Sequence, residues 1–311
     1  MIEEGLVSII ILSYKNLEGI FDTLKSVAEQ DYSLIEVIFA DDGSPNFSSV
    51  EERINTAISG SPFKRTLITH SQKNKGTVKN INSALSKANG EYIKLLAAED
   101  MLAGPTAISD YVAEMHDTGS LVVFGGMVGL TPEGEIRKKL VSCESNIELL
   151  KSYDIKKQRN RLFARNYLPA PAAFFRRKVF DQYGMFDEDV RLIEDYPYWL
   201  MLSIKGVKFA YMDKITAVAR LSGVSSAGSY SESFMKDMDV IYRKYIFPYD
   251  RRFGVFQKPY NCLKRMGLRF YAEKARLPKY KGFRRIGYYL MYWPFILYTE
   301  WVNWKTARKN R

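Results

Sequence analysis

Short apolar runs and helical periodicities alternate along the first hundred residues. Leu6 to Leu12 is a compact apolar run of strand length, after which Leu17, Ile20, Phe21, Leu24, Val27 and Ala28 recur at helical spacing. Ile35 to Ala40 predicts a second buried strand, ended by the turn composition Asp41-Asp42-Gly43-Ser44-Pro45. A third short strand is expected over Thr66 to Thr69, and Val78, Ile81, Ala84, Leu85 and Ala88 again have helical spacing, closed by Asn89-Gly90. Tyr92 to Leu96 predicts a fourth strand. This alternation predicts a parallel, doubly wound sheet, in which ligands sit beyond the carboxyl ends of the strands. Those ends carry Ser13-Tyr14, Asp41-Asp42 and Ala97-Ala98-Glu99-Asp100, so polar and acidic groups converge on one edge.

Beyond residue 100 the pattern is less regular. Leu121 to Val128 and Ala172 to Phe175 predict further strands of unread direction, joined by a charged, loop-rich connection. Tyr196 to Ile204 predicts a short aromatic helix, and Val207 to Met212 and Ile215 to Ala219 predict two sheet-edge segments. From Tyr230 onward the pattern turns helical, which sets the expected organisation as a domain over 1–228 and a helical extension over 229–311.

Charge sharpens that division. Residues 251–311 hold 16 Lys and Arg against Glu273 and Glu300, a net of +14, while the whole chain carries +11; the first 250 residues therefore sum to about −3. A near-neutral body with a basic, aromatic tail points the tail towards an anionic surface, lipid headgroups or nucleic acid. Cys143 and Cys262 are far apart and form no C-x-x-C pair, so neither a disulfide framework nor a zinc site is indicated, and a reducing cytosol is the simplest home. The start Met1-Ile-Glu-Glu-Gly5 has acids where a secretory signal has a basic region.

Several chemistries lack their residues. There is no G-x-x-x-x-G-K-[ST], and the first strand-to-helix turn, Ser13-Tyr14-Lys15-Asn16, lacks the glycines of a dinucleotide fingerprint. With no H-E-x-x-H, no G-x-S-x-G and only His70 and His116, histidine catalysis has little material, and proton transfer falls to carboxylates. Acids at strand ends also suit a hard divalent cation, which takes one or two carboxylates plus phosphate oxygens. A solvated turn or helix cap is the competing use of Glu99 and Asp100.

The order of these segments resembles the family 2 glycosyltransferases, of GT-A fold, over roughly Leu6 to Ser226. The strand Val7-Ser-Ile-Ile-Ile-Leu-Ser-Tyr14 is similar to the family's opening strand, and Val37-Ile-Phe-Ala-Asp-Asp-Gly-Ser44 to its second. Asn74-Lys-Gly76-Thr-Val-Lys79-Asn80 and Ala88-Asn-Gly-Glu-Tyr-Ile93 match the helix and strand that lead to the metal motif. Phe174-Phe-Arg-Arg-Lys178, Gly184-Met-Phe-Asp-Glu188 and Glu194-Asp195 are similar to the approach to the catalytic acid and to the acid pair itself.

The resemblance implies an inverting transfer from a nucleotide-sugar donor, most commonly one carrying UDP. It implies Asp195 as the base that takes the acceptor's proton, with Glu194 and Trp199 at the acceptor. Ser13, Tyr14, Asp42, Lys79, Glu99 and Arg220 would bind the donor, Tyr14 and Asp42 at the base and Lys79 and Arg220 near the phosphates. Asp100, with Glu99, would hold Mn²⁺ or Mg²⁺. The usual Asp-Ser-Asp-Asp strand end is here Ala97-Ala98-Glu99-Asp100, without the first acid and with a longer third.

Within the tail, Ile286 to Trp304 holds one formal charge, Glu300, between basic flanks at Lys281, Arg284 and Arg285 and at Lys305, Arg308 and Lys309. Pro294, Asn303 and abundant Tyr and Trp favour an interfacial or re-entrant anchor over a spanning helix. The expected partners are a nucleotide-sugar donor, a glycan or lipid-linked glycan acceptor, and an anionic membrane surface met through residues 258–311, with no nucleic acid. The expected location is the cytoplasm, peripheral at the inner face of the cytoplasmic membrane, in surface-polysaccharide synthesis. Two alternatives stay open: a catalytically silent scaffold of the same fold, motivated by Ala97 and Ala98, and nucleic-acid binding by the basic tail.

Overall fold

A computed structural model describes residues 2–15, 17, 19–131, 135–137, 144–220, 231–252, 254–274 and 281–309. The chain divides into two compact units, Met1–Ser226 and Ala227–Arg311. The expected boundary at 228/229 lies outside the described residues.

The first unit opens with β1 (Glu3–Ser13), α1 (Ile20–Ala28), β2 (Ile35–Asp41), α2 (Ser48–Ser59), β3 (Arg65–His70), α3 (Thr77–Leu85) and β4 (Gly90–Ala97). β1 pairs in parallel with both β2 and β4, and β2 pairs in parallel with β3. Val7, Ile9, Ile11, Val37 and Phe39 are buried in one cluster with Ile20, Leu24 and Val27 of α1 and Ile54 and Ile58 of α2. Strands buried on both faces read as unbroken apolar runs, which is why this half follows the sequence pattern.

The second half adds β5 (Met101–Leu102), α4 (Ala107–Thr118), β6 (Val122–Leu130), β7 (Ile136–Arg137), α5 (Glu144–Lys151), α6 (Ile155–Ala164), β8 (Ala173–Arg176), α7 (Lys178–Tyr183), α8 (Asp195–Ile204) and β9 (Ala210–Arg220). The sheet order is β3-β2-β1-β4-β8-β6-β9-β5, with β7 on β6. β8 is antiparallel to both β4 and β6, and β9 is parallel to β6. The sheet is therefore mixed, and the purely parallel expectation holds for its first half alone. The connection expected to be loop-rich contains α5 and α6. The two segments expected at 207–212 and 215–219 are one strand, β9, whose register on β6 shifts between Phe124 and Gly126. At that irregularity Asp213 and Lys214 turn outward to Lys151 and Asp110, which breaks the apolar run.

In the second unit, α9 (Glu232–Ile241), α10 (Gln257–Lys274) and α11 (Phe283–Lys309) form the helical extension, with a π-helical turn over Tyr242–Ile246. Phe270 of α10 packs on Tyr288, Tyr292 and Phe295 of α11. No helix among the described residues is long and apolar enough to cross a membrane. The basic side chains at 305, 308 and 309 lie outside the described residues.

Candidate active site at the carboxyl edge of the sheet

Because β8 is antiparallel to its two neighbours, β1, β2, β4, β6 and β9 all point the same way. Ser13, Asp41, Ala97 and Arg220 therefore end at one edge, where the 3₁₀ turn Ala170–Ala172 leads into β8.

One corner is built by β1 and β2. Lys15 adopts a left-handed backbone (φ 62°), and its N–H donates to Ser44 Oγ at 2.7 Å. Ser44 in turn donates to Asp41, its N–H at 2.7 Å and its hydroxyl at 2.5 Å, while His70 Nδ1 lies 2.8 Å from the same carboxylate. The His70 ring stacks on Phe47 with centroids 4.5 Å apart. Asp42 is also buried, and its two oxygens accept the backbone N–H groups of Lys75 and Gly76, each at 2.8 Å. Asp42 thus fixes the turn before α3, and each oxygen keeps a further lone pair. Tyr14 is 42% exposed with the Lys15 ammonium 5.1 Å from its ring centroid, and Lys79 lies exposed in the first turn of α3. Ser13 Oγ is buried without a hydrogen-bond partner among the described residues, an unmet group at the mouth of the edge.

A second corner follows β4. Ala97 is exposed, Ala98 buried, Glu99 half-buried and Asp100 buried. A Cβ on Gly19 would lie 2.8 Å from Ala98 O and 3.1 Å from Glu99 Cβ, so only glycine lets the start of α1 approach this turn. Burial, then the charge of Glu99, push the Asp100 carboxyl up to about 7, against the pull of Lys94 and of backbone hydrogen bonds at Arg220 and Ala97. A cation beside Asp100 would relieve that raised carboxyl, and with Glu99 it would supply the one or two carboxylates that Mn²⁺ or Mg²⁺ needs, so the residues fit such an ion. Arg220 reaches Asp100 by its backbone, and its guanidinium pairs with Asp22 of α1 instead of standing open to phosphate.

Below this corner Lys94 is wholly buried in β4. Its ammonium donates to the carbonyls of Pro171 and Ala173, the latter at 3.0 Å, and lies 5.3 Å from the Tyr111 ring centroid. Desolvation lowers it to about 7, and Asp100 opposes that shift. Tyr111 donates its hydroxyl to the intervening carbonyl, Ala172, at 2.6 Å.

The third corner is the N-terminus of α8. Asp195 Oδ1 accepts the Tyr196 N–H at 2.6 Å, and Oδ2 accepts Nδ2 of Asn166 at 2.8 Å. Burial raises both acids, Glu194 further because Asp195 lies beside it; for Asp195 the Asn166 bond and the Tyr196 N–H pull back.

Two bridges join the corners. From the first to the third, Arg191 donates to the carbonyls of Asn74 and Lys75, and its own carbonyl accepts the Val78 N–H at 3.2 Å. Gly76 (φ 98°) lies beneath it, where a Cβ would come within 2.5 Å of Arg191 Cγ. From the second to the third, the chain from Asn166 to Ala173 links Asp195 to Lys94. Asp42, Asp100 and Asp195 thus belong to one connected edge.

The aromatic residues of α8 overturn one expectation. Trp199 is 1% exposed, stacked on Phe175 at 5.6 Å and edge-on to Phe124 and Phe209, so it is core and offers no face to an acceptor. Tyr196 and Tyr198 are buried too. Asn166, Arg191 and Lys94 were not singled out in the sequence. Only Lys94 carried a signal, as the lone cation within the buried run Tyr92 to Ala97.

The sheet is mixed, with acids gathered at its carboxyl edge. The model of glycosyl transferase family 2 matches residues 8–184, more than half of the chain, and the chain belongs to that family. Among curated proteins it is 24% identical over 279 residues to an uncharacterized glycosyltransferase of Haemophilus influenzae, covering 87% of this chain and 82% of that one. Bacillus subtilis YwdF, another uncharacterized glycosyltransferase, is 21% identical over 81% of this chain and 86% of its own. Among solved structures, S. aureus TarS 1-349 in complex with UDP-GlcNAc matches with TM-score 0.58 at 19% identity, over 81% of this chain and 69% of that one. The chain spans 43% of the longer TarS structure. A mannosyltransferase from Pyrobaculum calidifontis, in complex with GDP-Man and Mn2+, matches with TM-score 0.54 at 15% identity, over 96% of this chain and 83% of that one. At these identities the structural likeness speaks to the fold.

Proposed function

We propose that this chain is an inverting glycosyltransferase that moves a sugar from a nucleoside-diphosphate donor, a UDP-sugar by preference, to a hydroxyl of a lipid-linked glycan. The observation that carries this reading is the Asp195 carboxylate, oriented by two donors and raised by burial, at the same edge as Asp100 and the unmet Ser13 hydroxyl. An inverting transfer needs one carboxylate opposite the leaving diphosphate to take the acceptor's proton. Asp195 has that role. Glu194 adjoins it on the acceptor side.

Ser13, Tyr14 and Asp42 form the nucleoside end, and Lys79, Glu99 and Arg220 stand towards the diphosphate. Arg220 would leave Asp22 to do so. Asp100 and Glu99 are the residues to hold Mn²⁺ or Mg²⁺, which when bound neutralises charge on the departing diphosphate. Complexes of structural relatives with UDP-GlcNAc and with GDP-Man and Mn2+ support a donor and ion of these classes.

A screen of nucleotide sugars for hydrolysis and transfer, with and without Mn²⁺, tests the reading together with Asp195→Asn. The substitution is expected to lower turnover by roughly 10²- to 10⁴-fold. Undiminished turnover in the variant would remove Asp195 from the chemistry, and an inert wild-type chain would favour the silent scaffold.

The tail is read as a contact with anionic lipid at the inner face of the cytoplasmic membrane, in surface-polysaccharide synthesis. Phe283, Ile286, Leu290, Trp293 and Leu297 of α11 are exposed at helical spacing, with Lys281, Arg284 and Arg285 exposed beside them. Co-flotation with phosphatidylglycerol vesicles should exceed that with neutral ones, and Leu290→Glu should weaken it; equal recovery from both vesicle types counts against the contact.

A further inference from the structure

The segment between α6 and β8 meets the edge at both ends. Tyr167 and Leu168 are buried, which anchors its backbone, while their neighbour Asn166 stays on the exposed side and faces Asp195. At the far end the three consecutive carbonyls of Pro171, Ala172 and Ala173 are all held by buried donors, Lys94 on the outer two and Tyr111 on the middle one. A stretch tied this way has little freedom to shift relative to β4.

Asn166 itself is held in one orientation. Its Oδ1 accepts the Leu168 N–H at 3.2 Å, so the amide is fixed with Nδ2 towards Asp195, 2.8 Å from Oδ2. A flipped amide would set NH₂ against the Leu168 N–H and oxygen against a carboxylate, a repulsive pairing at both ends. The other Asp195 oxygen is occupied by the Tyr196 N–H, and the Tyr196 hydroxyl donates back to Leu162 O of α6 at 2.7 Å. Two donors reach the carboxylate along different directions and leave its remaining lone pairs for an acceptor hydroxyl.

We infer that Asn166 is a positioning residue for the catalytic base: its amide fixes the plane of the Asp195 carboxylate and favours the ionised form. This deepens the proposed function and rests on Asp195 being the base. Glu194, whose own carboxyl is raised by burial and by Asp195, is the neighbouring titratable group. An N–H donor on an ionised carboxylate favours the charged state, consistent with the downward pull of Asn166 on the otherwise raised Asp195. The bond sits at the open side of the site, so bound substrate that excludes water would strengthen it.

The test compares Asn166→Ala and the near-isosteric Asn166→Asp with wild type, measuring kcat and donor KM from pH 5 to pH 9 on full-length protein. Loss of the amide donor should lower kcat about tenfold, leave donor KM within about twofold, and move the acid limb of kcat upward by about half a unit to one unit. Asn166→Asp sets a second carboxylate against Asp195 and should move the limb further than Asn166→Ala. An unmoved limb in both variants, or equal loss in kcat and stability with no change of pH profile, overturns the inference and leaves Asn166 a structural contact. Asp195→Asn in the same assay separates the two claims. If Asp195→Asn still turns over at the wild-type rate, the base assignment fails first; if it is dead while both Asn166 variants keep the wild-type limb, only this inference falls.

Discussion

At the end of β2, Asp41 and Asp42 are tied into the fold: Asp41 takes two donors from Ser44 and one contact from His70, and Asp42 takes two backbone N–H groups from the turn before α3. At the start of α8 the Glu194–Asp195 pair differs in its electrostatics more than in its number of donors. Asp195 receives one side-chain amide and one neighbouring N–H, the two acids repel each other, and burial raises both. Carboxylates that collect donors from a turn hold that turn in place, whereas desolvated carboxylates beside a like charge are ready to take up a proton. Two acid pairs of nearly the same composition on one edge thus meet different surroundings, and under the proposed function the first shapes the site while the second reacts in it.

The widest separation is expected from Asp42→Ala. It strands the Lys75 and Gly76 N–H groups, and urea unfolding should show a loss of about 2–3 kcal/mol together with a raised donor KM. A loss below about 0.5 kcal/mol would mean that the turn stands without Asp42. Asp195→Asn should do the reverse, destroying transfer while its stability stays within about 1 kcal/mol of wild type or exceeds it, since an uncomfortable carboxylate is removed. A large fall in stability would move Asp195 into the structural class.

Glu194→Gln should give the smallest effect, visible in its pH dependence. The Glu194 carboxyl is raised to about 8 in the folded chain, from an ordinary value near 4.5. Its contribution to stability is therefore complete below about pH 4.5 and is lost as pH climbs through about 8, because the folded state must then surrender a proton it prefers to keep. Urea midpoints of wild type should fall towards pH 9 more steeply than those of Glu194→Gln. Parallel pH profiles would show that Glu194 titrates as an ordinary acid.

The comparison also follows how much the sequence discloses. Asp41 and Asp42 end a strand buried on both faces, so an unbroken apolar run locates them, and the turn Asp41-Asp42-Gly43-Ser44 states its own geometry. Asp195 was legible through its place after Gly184-Met-Phe-Asp-Glu188, but its supports were not. Asn166 lies between α6 and β8 in a stretch without periodicity, and Arg191 acts across more than a hundred residues on Asn74 and Lys75. Helical spacing alone leaves Trp199 open between core and acceptor contact, because it does not tell which side of α8 faces Phe124 and Phe175. The direction of β8 was equally hidden, since a four-residue strand, Ala173–Arg176, has too few positions to encode its pairing.

Ala97 ends β4 in contact with water, with no packing duty. A side chain there is free to lengthen without disturbing the strand, so the departure from the usual acid at this position is confined to the rim. The framework that an aspartate would need, from Leu12 beneath it to the turn at Gly19, is still standing. The rim of β4 is thus adjustable by a single residue, while the buried lysine and tyrosine beneath it hold the carbonyls that lead into β8.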